Sequence, residues 1–400
     1  MGNIRQMPRT RRERERVRSG GKKKRKVQYF DYSLLAVIIF LVCFGLAMLY
    51  STSSYSALRV YEDGMHFFKR QAFFCAAGFL GAYIISNIDY HIFAIYAKKL
   101  YWLSIFLMAL VMTPLGQEVN GARRWIKLPF DQQFQPSEVA KIAIILFIPQ
   151  LLCKLGKEVH SLQGIIHILI WGGFSAVCVY FMTENMSTAI IVMGISCFLV
   201  FVVHPKTAPF IVIVAGGFVF LLIMVTILKL VVQNPEMSGN FRLRRVLVWL
   251  EPERYASNWG YQVMQGLYAV GSGGFFGKGL GNSAQKMIIP EVQNDMILSI
   301  ICEELGVFGA IIVLLMFGLL LYRLMFIAQN APDMYGALIV TGIFAHIAIQ
   351  VILNVAVVIN MIPTTGITLP FISYGGTSIL FLMAEMGLAL GISGKIRFEE

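Results

Sequence analysis

The chain has 400 residues, of which 57% are hydrophobic and 14% charged, with a formal net charge of +12. Apolar runs of about 20 residues, each long enough to cross about 30 Å of hydrocarbon, recur along it and exclude a soluble globular class. The charge is concentrated: residues 1–28 hold twelve Lys or Arg against Glu13 and Glu15, a net of +10 that leaves the remainder nearly neutral.

A basic arm directly before a first span anchors the cytoplasmic side under the positive-inside rule, so it orients the protein and no nucleic-acid partner is expected. The apolar stretch that follows has full spanning length and no small-residue cleavage site, so no cleavable signal is expected. Ten spans are predicted, at 32–50, 67–86, 100–115, 136–153, 163–182, 186–203, 209–232, 297–322, 335–357 and 377–393. The expected fold is an all-α polytopic membrane protein of about ten transmembrane helices, with a large extracytoplasmic loop, 233–296, between the seventh and eighth. An even number of spans returns the C-terminus to the cytoplasm. The expected organisation is a basic cytoplasmic tail (1–30), a transmembrane domain (31–394) and a short cytoplasmic C-terminus (395–400).

All six cysteines (Cys43, Cys75, Cys153, Cys178, Cys197, Cys302) fall in or at the ends of predicted spans, where they act as small packing residues, and no disulfide framework is expected. The six histidines form neither an HExxH motif nor a Cys/His pairing, and His167 and His346 are expected to be hydrogen-bonded within the bundle.

The loops carry the unusual chemistry. Arg123, Arg124 and Lys127 cluster on one external segment, and Arg242, Arg244, Arg245, Arg254, Lys278 and Lys286 on another. Cations outside oppose the usual bias; an anionic ligand at the outer surface would explain them, as would contact with anionic outer-leaflet lipid or with acidic neighbours in the same loops. In the fourth span QPSEVAK sets Glu138 and Lys141 three apart on one helix face, which reads either as a functional pair or as a structural ion pair.

The segment RLRRVLVWLEPERY has the spacing of an interfacial amphipathic helix, with Trp249, Trp259 and Tyr261 suited to that depth. The glycine-rich GSGGFFGKGLGNS is not a nucleotide loop. A Walker sequence needs Gly where Ser272 stands and Ser or Thr where Gly279 stands. Asp295 precedes the eighth span, with Glu303 and Glu304 about two turns deeper. A carboxylate at the water–lipid boundary is partly desolvated, which raises its pKa and improves it as a base; the alternative is simple complementarity to a helix dipole. Finally NMIPTTGITLPFISYGGTS, 360–378, breaks helix over a length that membranes tolerate only around a protein-lined or wet cavity.

Six motifs, NGARRWI (120–126), QPSEVAK (135–141), GYQVMQGLYAVGSGGFFGKGLGNSAQK (260–286), IPEVQND (289–295), EELG (303–306) and NMIPTTGITLPFISYGGTS, resemble in order and position the shape, elongation, division and sporulation (SEDS) family, which contains FtsW, RodA and SpoVE. The resemblance runs from about residue 31 to 394, and NGARRW and GKGLGNSAQK lean towards the division and sporulation branch. It implies a peptidoglycan glycosyltransferase in the cytoplasmic membrane that polymerises lipid II, the undecaprenyl-pyrophosphate-linked disaccharide-pentapeptide, at the outer face. Implied partners are a class B penicillin-binding protein and other divisome or spore-septum membrane proteins.

By the same resemblance Asp295 matches the family's essential external-loop aspartate and is assigned general base or acceptor positioning, with a divalent cation (Mg or Mn) bridging phosphate as an option and no organic cofactor. Arg123, Arg124 and Lys141 would steady the pyrophosphate, joined by Glu138, Lys278 and Lys286 as substrate-binding candidates. Trp125 would pack on sugar or prenyl chain, and Ser373 and Tyr374 would shape the cavity wall. Two departures stand out: Gln293, Asn294 and Met296 replace the family's usual neighbours of the aspartate, and TENMSTA (183–189) lacks a usual Gln-Pro-Asp, with Glu184 nearby as a substitute in charge. Two further readings from other classes are a lipid II flippase using buried Glu138, Lys141 and Glu184, and a catalytically weak septal scaffold.

Overall fold

The computed structural model describes residues 26–119, 122–128, 132–208, 210–212, 215–217, 219, 223, 226 and 241–399. Tail residues 1–25, most of the seventh predicted span and the start of the large loop lie outside the described residues.

Helices lie at the other nine predicted spans: α1 (Tyr32–Tyr61), α2 (His66–Asn87), α3 (Tyr90–Val111, which begins ten residues before the predicted start at 100 and stops short of 115), α4 (Pro136–Leu155), α5 (Leu162–Met182), α6 (Met186–Val203), α9 (Ile297–Asn330), α10 (Met334–Val358) and α11 (Ser378–Ser393). Two shorter helices, α7 (Phe241–Leu250) and α8 (Tyr261–Ser272), lie in the large loop. Seven of the described helices are long and apolar enough to cross a membrane. Their starts are chemically marked. The side chains of Asp31, Ser161, Asn185 and Asp333 accept hydrogen bonds from first-turn amides of α1, α5, α6 and α10, and Pro136 opens α4 where no amide donor is needed.

α1 continues well past its predicted end because the hydroxyls of STSSYS bond back into the helix, Thr52 to the Met48 carbonyl at 2.9 Å and Ser53 to that of Leu49 at 2.7 Å. Local back-bonding lets polar residues extend a helix that hydropathy alone would stop.

Two small sheets complete the chain. β1 (Lys26–Gln28) pairs antiparallel with β5 (Arg397–Glu399), which places the start and end of the described chain at one end of the bundle. Beneath them Arg323 grips the buried Asp31 carboxylate, Nη2 to Oδ2 at 2.7 Å. At the other end β2 (Gly116–Val119), β3 (Ala122–Leu128) and β4 (Gln132–Phe134) form an antiparallel sheet between α3 and α4. Its register sets Trp125 opposite Gln117 and Ile126 opposite Phe134. The sequence reading contained no strands in this loop.

α9 is broken at Gly306, whose φ of 71° and ψ of −172° belong to a region that only glycine enters readily. The glycine-rich loop after α8 fills the break. Lys278 and Gly279 donate their amides to the Glu303 and Glu304 carbonyls, each at 2.9 Å, while Val307 and Phe308 donate to Gly274 and Phe275 at 3.0 Å. Irregular backbone beside a membrane helix is thereby satisfied within the protein.

Candidate active site

The site is organised by residues 359–377, the segment between α10 and α11. Its carbonyls are tied down one after another by side chains from the surrounding elements. Trp249 Nε1 donates to Asn360 O at 3.0 Å, Arg245 Nη1 to Thr364 O at 3.1 Å, and the Ser187 hydroxyl to Thr365 O. From α10, Asn354 Nδ2 donates to Ile367 O at 2.7 Å and Gln350 Nε2 to Thr368 O at 3.0 Å. Each buried carbonyl left without such a donor would lose about 1–3 kcal/mol, so these polar side chains are what permit irregular backbone here. The segment also presses on α1: a Cβ on Gly45 would sit 2.5 Å from the Phe371 carbonyl oxygen, so only glycine allows that approach.

Asp295 lies against this segment. Asn354 Nδ2, which holds Ile367, also donates to the Asp295 carbonyl at 2.9 Å, and the Tyr374 amide donates to Gln293 O at 2.9 Å. Gln262 of α8 donates to Asp295 Oδ1 at 3.4 Å. Part of the Asp295 surface is open, yet its carboxyl lies deep enough that burial pushes its pKa above the ordinary carboxylate value. Its own backbone amide, the Arg245 guanidinium and Gln262 pull the other way, while nearby Glu291 adds to the rise. Burial in turn lowers the Arg245 pKa, and Asp295 opposes that shift. The result is a carboxylate with raised proton affinity beside a partly desolvated cation.

The structure places the other candidates in three groups. Ser373 and Tyr374 belong to the organising segment. The buried Ser373 hydroxyl accepts from the Leu369 amide at 2.8 Å, and the half-buried Tyr374 ring packs edge-on against Phe67 at 5.1 Å. Burial raises the pKa of the Tyr374 phenol, partly offset by Arg70. Arg123, Arg124 and Trp125 lie on β3, tied to the α5–α6 turn by Glu184. Its carboxylate accepts from the Arg123 amide and its carbonyl from Arg124 Nη2, both at 3.3 Å. Arg123 also pairs with Glu118, Nε to Oε2 at 3.6 Å. Thr377 joins the two groups, its hydroxyl donating to Gln133 O at 2.8 Å.

The third group is committed internally. Lys278 Nζ binds Glu303 Oε1 at 2.7 Å, and the buried Lys286 Nζ binds Glu304 Oε1 at 3.1 Å. Ser51 closes the second pair by donating to Glu304 at 2.7 Å. Of the readings that the sequence offered for these two cations, an anionic ligand, anionic lipid or acidic neighbours, the structure shows acidic neighbours: each lysine is paired with a carboxylate buried where α9 breaks. Glu138 and Lys141 are likewise buried and joined to each other at 2.9 Å.

Gln262 and Asn354 were absent from the sequence candidates, and Arg245 appeared there only as one of the external cations. Arg245 stood in the recognised basic face of RLRRVLVWL, and an asparagine inside an apolar span was itself a signal for Asn354. Gln262 carried no signal beyond its motif. Among the described residues no three His, Cys, Asp or Glu side chains converge as a protein-built metal centre requires. A magnesium-type ion needs only one or two carboxylates when phosphate oxygens supply the rest, and Asp295 fits that lesser role.

Comparison with known proteins agrees with this geometry. The family model described as cell cycle protein, FtsW/RodA/SpoVE, matches residues 32–397. Stage V sporulation protein E of Bacillus subtilis is 36% identical over 373 residues, covering 92% of this chain and 98% of its own. A probable peptidoglycan glycosyltransferase FtsW of Geobacter sp. is 35% identical over 380 residues, covering 93% and 99%. Among solved structures, a chain from work on structural coordination of polymerization and crosslinking by a peptidoglycan synthase complex superposes with a TM-score of 0.73 at 26% identity, covering 91% of this chain and 97% of that one. The rod shape determining protein RodA of Thermus thermophilus shares the fold, with a TM-score of 0.63 at 24% identity, covering 91% and 96%. The chain is a multi-pass membrane protein and belongs to the FtsW/RodA/SpoVE family of cell cycle proteins.

Proposed function

We propose that this protein is a peptidoglycan glycosyltransferase that polymerises lipid II into glycan strands, with Asp295 as general base. The observation that carries this reading is the placing of Asp295, which Asn354 and Gln262 hold against the 359–377 segment, partly open and near Arg245, where burial pushes its pKa up. Glycosyl transfer needs that pairing. As the acceptor sugar hydroxyl attacks the donor anomeric carbon its proton passes to a base, and the pyrophosphate that leaves carries developing negative charge. Asp295 takes the proton. Arg245 is the cation beside it, and Arg123 and Arg124 on the adjoining β3 offer further charge to the diphosphate, with Trp125 as an apolar surface for sugar or prenyl chain.

Asp295 would hold a divalent Mg or Mn ion if one takes part, and such an ion would supply charge neutralisation for the leaving diphosphate. Ser373 and Tyr374 shape the wall. Lys278 and Lys286 hold the glycine-rich loop in the α9 break, and Glu138 with Lys141 supplies a neutral polar face inside the bundle. The basic tail and the pairing of β1 with β5 support an orientation with both termini cytoplasmic and Asp295 outside. The relation to a peptidoglycan synthase complex supports a class B penicillin-binding protein as partner.

Glycan-strand synthesis from lipid II by the reconstituted protein with such a partner, itself disabled for crosslinking, tests the proposal. Polymer is expected from wild type and none from a folded Asp295→Ala variant; equal polymer from both would refute the assignment.

A further inference from the structure

Three polar side chains line one face of α10 at successive turns: His346, Gln350 and Asn354. All are buried, at 1%, 4% and 0% exposure. Each uses one end of its polar group and leaves the other without a hydrogen-bond partner among the described residues. His346 Nδ1 contacts Glu385 Oε2 of α11 at 2.7 Å while its Nε2 has none. The amide nitrogens of Gln350 and Asn354 face backbone carbonyls, which fixes each amide's orientation, and Oε1 and Oδ1 have no partner. Three orphaned polar atoms in a row cost several kcal/mol unless something binds them, and such groups in protein interiors are ordinarily satisfied by water.

The row runs towards the site. Its upper member, Asn354, holds the Asp295 carbonyl, and its lower member is a buried histidine with a carboxylate counter-ion. We propose that this face of α10 is an internal water site linking the loop that bears Asp295 to the His346–Glu385 pair, which accepts the proton released during glycosyl transfer. The water site stands on the orphaned atoms alone; the proton role rests on reading Asp295 as the base.

The step balances without a further reactant. The acceptor O–H bond breaks as its oxygen bonds the donor anomeric carbon, the bond from that carbon to the diphosphate breaks, and the proton goes to the Asp295 carboxylate. Asp295 then gives that proton to water beside Asn354 and Gln350, and the water passes one on to His346 Nε2, forming an N–H bond. Nδ1–H stays on Glu385, whose charge balances the imidazolium, and the proton later returns to solvent.

The surroundings suit a protonation site. From α4, Ile145 lies against Gly342, 3.5 Å from a Cβ built there. α4 also carries Lys141 and Glu138, which neutralise each other at 2.9 Å. α6 brings only Cys197, α8 only tyrosines, and the α9 stretch 311–321 no ionisable group, while Glu385 is the carboxylate in contact with His346.

The test uses the full chain in lipid nanodiscs with 15N-labelled histidine, His346 being assigned by its loss in His346→Gln. The His346 ring is expected to exchange magnetisation with internal water, a cross-peak that Gln350→Leu weakens. In the lipid II assay, His346→Gln and Gln350→Leu should each lower kcat about tenfold with KM retained and change the solvent deuterium isotope effect on kcat. No water contact at His346, or a kcat and isotope effect unchanged in both variants, overturns the proposal. Water contact at His346 in a protein that makes no polymer would retain the water site and refute the catalytic reading instead.

Discussion

Asp295 is held in the form its chemistry needs at a cost to stability. Because its folded pKa lies above its unfolded value, the fold loses stability as pH rises from the unfolded towards the folded pKa, and at neutral pH the ionised side chain is a burden. Asp295→Asn is therefore expected to melt at or above the wild-type temperature in a detergent thermal scan while polymerisation falls about 10²–10⁴-fold. A variant that lost activity by unfolding would do the reverse. Arg245 offers a second control with a definite sign. Its charge lowers the Asp295 pKa, so Arg245→Ala should raise it further and move the acidic limb of the pH–rate profile to higher pH. The sequence pointed to Asp295 through its position before an apolar run. It could not show Arg245 beside it, because the two are fifty residues apart and meet only through the fold of the large loop.

At the scale of elements, the break in α9 is where local sequence was least informative. GSGGFFGKGLGNS was legible as glycines placed for close backbone approach, but nothing in its composition says that it enters a helix interruption at Gly306. That contact is between segments distant in sequence, and its two lysines look like ordinary loop cations until Glu303 and Glu304 are seen beneath them. Gly306→Ala should lower the melting temperature sharply. Its φ of 71° disfavours a side chain by about 1–3 kcal/mol, and the Cβ would meet the Phe275 carbonyl at 2.2 Å. Lys286→Met strands the Glu304 carboxylate and should destabilise by about 3–5 kcal/mol, whereas Lys286→Met with Glu304→Gln recovers most of that loss. Thermal scans of the single and double variants decide between a clamp and a surface cation. The β2–β4 sheet was illegible for a related reason: NGARRWI reads as a polar loop, and its strands exist only through mutual pairing.

Across the whole molecule, hydropathy was the dependable signal, since lipid imposes helix on any spanning backbone, and helices lie at each of the nine predicted stretches that fall among the described residues. Their ends were less legible, because back-bonding hydroxyls and buried caps such as Asp31 set them rather than apolar content. The proposed orientation makes a direct prediction. In a cysteine-free background, Met287→Cys, which is 56% exposed, should react with a membrane-impermeant maleimide in intact cells, and exposed Arg397→Cys only after permeabilisation. The opposite pattern would put Asp295 on the wrong side for an external substrate. The central claim is tested most directly by glycan-strand synthesis from purified lipid II in the presence of the partner, comparing wild type with Asp295→Asn. Long strands from wild type and none from the equally stable variant are expected; strands of equal length and yield from both would show that Asp295 is not the base.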